Sequence, residues 1–454
     1  MERENVRTAE KGEILYLPIG VPTFHLETAR SLMQESISLL REIRPDAAAP
    51  EDLLLSVSEM KKFMEGRNPD LIILQSTTFA NSAYAAEICG SFSCPILLWA
   101  LREPVSDGGR LKLNSLTGAF SAGNTVCGFG NNALEYVFGS PDEPETEEKI
   151  RSVIRACEVI RSMRGLRLFQ IGHTPEGFGF GRAQDMDMKK KFGVTLESVE
   201  ARELIGRARS YKKEDLACEA AWARQHMAGL EEIPEKNRED FFRLCKAYQE
   251  YVQEHEIGAV ACRCWPDFFT AYGTPVCSVL AMLNDSGIAA SCEADAYGAL
   301  SMYIGMQLSG GPVFFGDPAS LDEKENTVTF WHCGTAACSL AREDTGARVG
   351  VHCNRKIGPT LNFGCRPAPA VTLFRIGKDP DGEFRFFLAE GEALDRPRQY
   401  EGTSVVVRLK KQAGPLVEKM ILDGWEPHFA VIYGPAGKEL TVLGHLLGIP
   451  VCRY

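Results

Sequence analysis

The sequence predicts an α/β protein: two Rossmann-like domains with parallel sheets, followed by a β-rich, barrel-like domain. Three observations predict it. Up to residue 308, short apolar runs alternate with amphipathic helices, the order that gives parallel strands with helices on their faces. From residue 309 the chain turns strand-rich, with Val, Phe and Thr gathered in runs between turn residues. At 454 residues the chain also exceeds what one hydrophobic core serves, so several domains are expected.

The elements follow in order. ILYLPIG (14–20) reads as the first strand, and Leu26, Ala29, Leu32, Met33, Ile37 and Leu40 recur after it at helical spacing. DLIILQ (70–75) and PILLWAL (95–101) are further buried strands, with the small-residue helix ANSAYAAEI between them. The helix EEKIRSVIRACEVIRSM (147–163) sets Ile150, Val153, Ile154, Cys157 and Ile160 on one side, and Gly165 is placed to stop it. The first domain is therefore 1–163. RLFQIG (167–172) opens a second domain, 164–308, whose long helix begins at Pro234 and buries Phe241, Leu244, Cys245, Tyr248 and Val252. The third domain, 309–454, holds VFFGD, TVTFWHC, VTLFRIG, EFRFFLAEG and TSVVVRL, with KDPDG (378–382) as a hairpin turn, and closes on a helix, a strand and a helix.

Composition excludes several classes of function. With 50 Lys and Arg against 61 Asp and Glu, the net charge of -11 opposes binding to nucleic acid or an anionic membrane. The N-terminal MERENVRTAEKGE is charged and lacks an apolar signal core, and no apolar run reaches the length of a spanning helix, so a cytoplasmic protein is expected. The 15 cysteines are odd in number, scattered and flanked by apolar residues, which fits reduced core thiols. Cys262 and Cys264 form a C-x-C pair with no second pair at zinc-ribbon spacing.

Chemistry is expected where ionisable residues end apolar strands. In IAASCEADAYG, Glu293 and Asp295 are two apart and would face the same way on a strand, and Asp317 ends the run of GPVFFGDP. A carboxylate in such a place meets a metal, an arginine or helix amides, because burying it unpaired is costly. Of the eight histidines, His428 begins the strand HFAVIYG, while His173 stands in the glycine-rich GHTPEGFGFG (172–181) after RLFQIG. Loops at the carboxyl ends of parallel strands are where ligands bind. No H-E-x-x-H or H-x-H pattern is present, so any metal site must be assembled from distant segments. The glycine-rich G-F-G-N-N-A (128–133) lacks the strand and the acid that a dinucleotide site needs.

From WPDFFTAYGTPVCSVLAMLNDSGIAASCEADAYGALSM (265–302) onward the chain resembles the L-fucose isomerase family, whose members also act on D-arabinose. The likeness continues through FFGDP and FWHCG (330–334) and returns in WEPHFAVIYG and LGHLLGIPVC; Glu293 and Asp317 stand 24 residues apart, like that family's two metal-binding acids. The resemblance implies that Glu293, Asp317 and His428 hold Mn²⁺ or another divalent metal, with Glu293 and Asp317 also moving the proton. It implies an oligomer, a hexamer being in keeping, in which the first domain covers a neighbour's site. The chain departs from the family at Pro427, where an asparagine is expected, and at GDPASL, which replaces an asparagine-rich segment.

The expected reaction is aldose–ketose isomerisation through an ene-diol, in which a divalent cation stabilises the oxyanion and a carboxylate moves the proton. Two carboxylates and an imidazole suit Mn²⁺ better than a thiolate-preferring metal. The substrate expected first is a sugar of L-fucose or D-arabinose type, contacted by His173, Arg263, Trp265 and His332, with a second-shell role the first expectation for His332. The alternatives are an isomerase of an acidic sugar such as sulfoquinovose, for which His173, Arg182 and Arg263 could supply cations, and a non-catalytic sugar-binding protein. A metal hydrolase ranks third.

Overall fold

A computed structural model describes residues 12–454; the charged stretch before them lies outside the described residues. The chain forms two compact units, one reaching up to Ser162 and including Lys438–Ile449, the other made of Met163–Gly437 and Pro450–Tyr454.

In the first unit β1 (Ile14–Ile19), β2 (Leu71–Ser76), β3 (Ile96–Ala100) and β4 (Leu134–Phe138) form a parallel sheet in that order. The first three strands are buried along their whole length, which is why they read as unbroken apolar runs. β4 is an edge strand, and it alternates buried and exposed positions. The helix Gly437–Leu447, expected with the strand-rich part of the chain, is instead counted almost entirely in this unit, where His445 Nδ1 lies 3.2 Å from Glu135.

The second unit contains two sheets. β5 (Arg167–Ile171), β6 (Thr195–Val199), β7 (Ala259–Cys262) and β8 (Ala289–Cys292) are parallel, in the order β6-β5-β7-β8. The order reverses at β5, and the crevice at such a point opens at the carboxyl ends of the strands. The remaining strands are β9 (Phe314–Asp322), β10 (Thr327–His332), β11 (Val349–Gly350), β12 (Thr360–Leu361), β13 (Phe363–Gly364), β14 (Ala368–Lys378), β15 (Phe384–Ala393), β16 (Thr403–Leu409), β17 (Phe429–Tyr433) and β18 (Val451–Arg453). Eight of them build a mixed sheet in the order β13-β16-β10-β9-β17-β14-β15-β18, with a further ladder between β15 and β16. The expected hairpin turn follows β14, which pairs antiparallel with β15.

The change of character at residue 309 is thus a change of sheet inside one compact unit. The apolar helix Ala296–Ser309 explains why: it is buried nearly all round, and it packs on β7 and β8 with one side and on β14 and β17 with another. All fifteen cysteines are free thiols, most of them buried. Among the described residues, no helix is long and apolar enough to cross a membrane.

Candidate active site

β8 ends at Cys292, and the next two residues leave the strand: Glu293 and Ala294 have φ of 58° and 54°, the left-handed region. Non-glycine residues there are uncommon and cluster at functional sites. This kink corrects the expectation that Glu293 and Asp295 face the same way on a strand. Asp295 instead caps the helix Ala296–Ser309, its Oδ1 accepting from Gly298 N at 2.8 Å.

The eight-stranded sheet brings the other groups to the same place. β9 runs antiparallel to β17 with Gly316 opposite Phe429, so Asp317, inside β9 rather than at its end, lies beside His428, the residue before β17. Gly316 is required here, since a Cβ would lie 2.6 Å from the Trp331 carbonyl oxygen. β10 pairs with β9 through Trp331 and Asp317, which delivers His332 to the same end.

These elements converge on one nitrogen. His428 Nε2 lies 3.1 Å from Glu293 Oε2 and 3.3 Å from Asp317 Oδ1. On the other side of the ring, Nδ1 is 2.9 Å from Asp295 Oδ2. Asp295 is in turn gripped by Arg375, with contacts of 2.5 Å and 3.1 Å, and both side chains are buried. Asp295 therefore fixes the imidazole with Nε2 toward the two carboxylates, as a carboxylate does behind a metal-ligating histidine. A ligating atom of His332 also lies within 4.8 Å of one from Glu293 and one from His428. Phe180 and Phe315 wall the imidazole, with ring centroids 5.1 Å and 4.8 Å away.

The electrostatics follow from this packing. Burial opposes charging His428, yet the hydrogen bonds of Asp295 and Glu293 outweigh it and push its pKa up to about 9. Burial would likewise raise Asp295, but Arg375 and His428 hold it well below the usual carboxylate range. Burial raises Asp317, with His428 and His332 opposing, although its side chain keeps 34% of its surface open. At neutral pH the protonated imidazole balances these carboxylates, and a divalent cation at Nε2 would take the place of its proton. Two oxygens and a nitrogen at these spacings fit a hard divalent cation. Softer donors adjoin this group through His332: Cys292 and Cys333 cluster with it, and Cys277 and Cys333 cluster with His352, all of them buried.

The remaining sequence-derived residues fall differently. His173 is exposed, and the acid beside it is Glu200 at 4.0 Å; it is not within donor distance of Glu293, Asp317 or His428. Arg263 is bound to Asp267 Oδ2 at 2.6 Å, and Trp265 carries the Arg355 guanidinium 4.6 Å above its ring. His332 stands beside the central donors, a ligating atom of it within 4.8 Å of those of Glu293 and His428, while its Nδ1 lies 3.3 Å from Cys333 Sγ. Sequence reasoning missed Arg375 and the bracing role of Asp295. The signal was available: a single arginine inside the apolar VTLFRIG implies a buried acid partner.

Comparison with known proteins identifies the chain as an aldose–ketose isomerase. The chain is 58% identical over 443 residues to a sulfoquinovose isomerase of Clostridium sp. (strain MSTE9), covering 97% of this chain and 99% of that one. It is 37% identical over 450 residues to a sulfoquinovose isomerase of Priestia aryabhattai, covering 97% and 99%, and 36% over 446 residues to one of Alkalicoccus urumqiensis, covering 96% and 98%. No protein-family model matches. The chain belongs to the sulfoquinovose isomerase family. The relatives' names correct the substrate expectation: they favour the acidic-sugar alternative over a sugar of L-fucose or D-arabinose type.

Proposed function

We propose that the protein converts sulfoquinovose, a hexose bearing a sulfonate, to its ketose. The observation that carries this reading is identity of 58% along essentially the whole of a sulfoquinovose isomerase. Glu293, Asp317 and His428 would hold Mn²⁺ or another divalent cation, and the convergence of their donor atoms on one point supports that assignment. Such a cation would supply positive charge that stabilises the oxyanion developing on the sugar. Glu293 and Asp317 are the groups that move the proton between C2 and C1. Asp317 is suited to that work, since part of its side chain is open to a ligand. His332, at the edge of the donor set, contacts the sugar or completes the cluster, and Phe180 and Phe315 keep water from the imidazole.

The test is ketose formation from sulfoquinovose, L-fucose and D-arabinose by manganese-loaded protein, before and after removal of metal with a chelator. Turnover of sulfoquinovose that stops on chelation and returns with Mn²⁺ is expected. Preference for either neutral sugar, or full activity in the chelator, would defeat the reading.

The sequence blocks shared with the L-fucose isomerase family support placing the chain in that wider group. The ladder from β15 back to β16 supports reading the mixed sheet as barrel-like. We also infer a homo-oligomer, in keeping with a hexamer. In the first unit, the helix Ser115–Phe129 exposes Leu116, Phe120 and Phe129, and the edge strand β4 exposes Tyr136 and Phe138. Apolar surface of this kind marks contact with another chain. Light scattering in solution should give a multiple of the 50.1 kDa chain mass; a monomer at micromolar concentration would refute the inference.

A further inference from the structure

Resting on the sulfoquinovose reading, we propose that Arg182 is the residue that reads the sulfonate and so sets specificity for the acidic sugar. A sulfonate is a fully ionised, three-oxygen anion, best matched by the forked N–H donors of a guanidinium. The groups assigned to the reacting end of the sugar are carboxylates, and the chain as a whole carries a net charge of -11. The anionic end must therefore meet a cation that no protein carboxylate has already neutralised.

Few cations near the site qualify. Arg375 is buried and consumed by Asp295, and Arg263 is held by Asp267. His173 is exposed and faces Glu200. Arg355 also meets no carboxylate, but its guanidinium is engaged by aromatic faces, 4.6 Å from Trp265 and 5.3 Å from Phe269, which makes it the comparison residue. Arg182 donates only through Nε, to Thr174 Oγ1 at 3.3 Å, and its two terminal nitrogens have no protein partner among the described residues. That bond steadies the side chain and leaves the fork open.

Its position is fixed by two neighbours. Phe180 packs its ring on His428. Gly181 sits so close to Asp295 that a Cβ would come within 2.8 Å of the Asp295 Cα, so the backbone immediately before Arg182 lies on the wall of the site. The segment also follows β5, where the strand order reverses and ligands are expected. Arg182, an exposed side chain, thereby follows directly on the wall of the site, uncompensated and partly oriented.

Steady-state kinetics with sulfoquinovose on wild type, Arg182→Gln, Arg182→Lys and Arg355→Gln test this, with quinovose, the same sugar without the sulfonate, as competing ligand. Arg182→Gln should raise KM for sulfoquinovose by roughly 30-fold with kcat little changed, the scale of a lost hydrogen bond to a charged group. Arg182→Lys should recover part of the loss, and the inhibition constant for quinovose should stay the same. A KM within threefold of wild type in Arg182→Gln, an equal loss of quinovose binding, or a loss carried by Arg355→Gln instead would overturn the assignment. A wild-type protein that does not turn over sulfoquinovose at all would overturn the functional reading, and this inference with it.

Discussion

Replacing Asp317 by Asn should lower kcat by about a thousandfold or more while leaving the metal-free protein as stable as before, or slightly more so. The loss follows from two roles that meet in one side chain, since the amide can neither take a proton from carbon nor offer an anionic donor to a cation. The neutral effect on stability follows from the sign of the pKa shift. Burial raises Asp317, so the folded protein disfavours its charge near neutral pH, and removing that charge relieves an unfavourable contribution. A residue serving only to brace the fold would give the opposite pattern. Ketose formation and the thermal midpoint of chelated protein check the two halves together. Activity within tenfold of wild type, or a large drop in the midpoint, would show that Asp317 is not at the chemistry.

Much of this site was legible in the sequence because its parts sit where apolar runs begin or end, although β9 itself continues past Asp317 to Asp322. An acid closing an otherwise apolar run, as Glu293 and Asp317 do, is costly enough to announce a partner. His428 was legible for the same reason, standing at the first turn into HFAVIYG. The parallel sheets were legible because buried strands between helices leave continuous apolar runs. What could not be read is what depends on register and chain path. The left-handed kink at Glu293 and Ala294 turns Asp295 from a neighbour of Glu293 into the brace behind His428. No local pattern of residues encodes that turn. Nor does the pattern of KELTVLGHLL show that its helix belongs with the first unit, because an amphipathic face says only that it is covered. The acidic sugar was reached from the sequence only as an alternative, because whether Arg182 or Arg263 is already paired is a property of the folded chain.

Arg375→Met should be among the most destabilising single changes in the protein, by about 3–5 kcal/mol, the scale for removing one partner of a buried ion pair. Both Arg375 and Asp295 are buried, and their contacts of 2.5 Å and 3.1 Å are the main compensation for the Asp295 charge. Methionine fills much of the same space, so the deficit arises from an unpaired carboxylate rather than from a void. Acid should reveal the cause. Because Arg375 holds the Asp295 pKa below its ordinary value, the pair contributes stability above about pH 4 and loses it as pH falls through the folded-state pKa. The gap between wild type and variant should therefore be full at neutral pH and narrow on acidification. Adding Asp295→Asn to Arg375→Met should restore part of the stability by removing the stranded charge, although His428 then loses its anionic brace and activity should not return. Denaturant melts of the three proteins at neutral and acid pH decide it. A double variant no more stable than Arg375→Met would mean that Arg375 acts through packing, and that the charge on Asp295 is held by His428 alone.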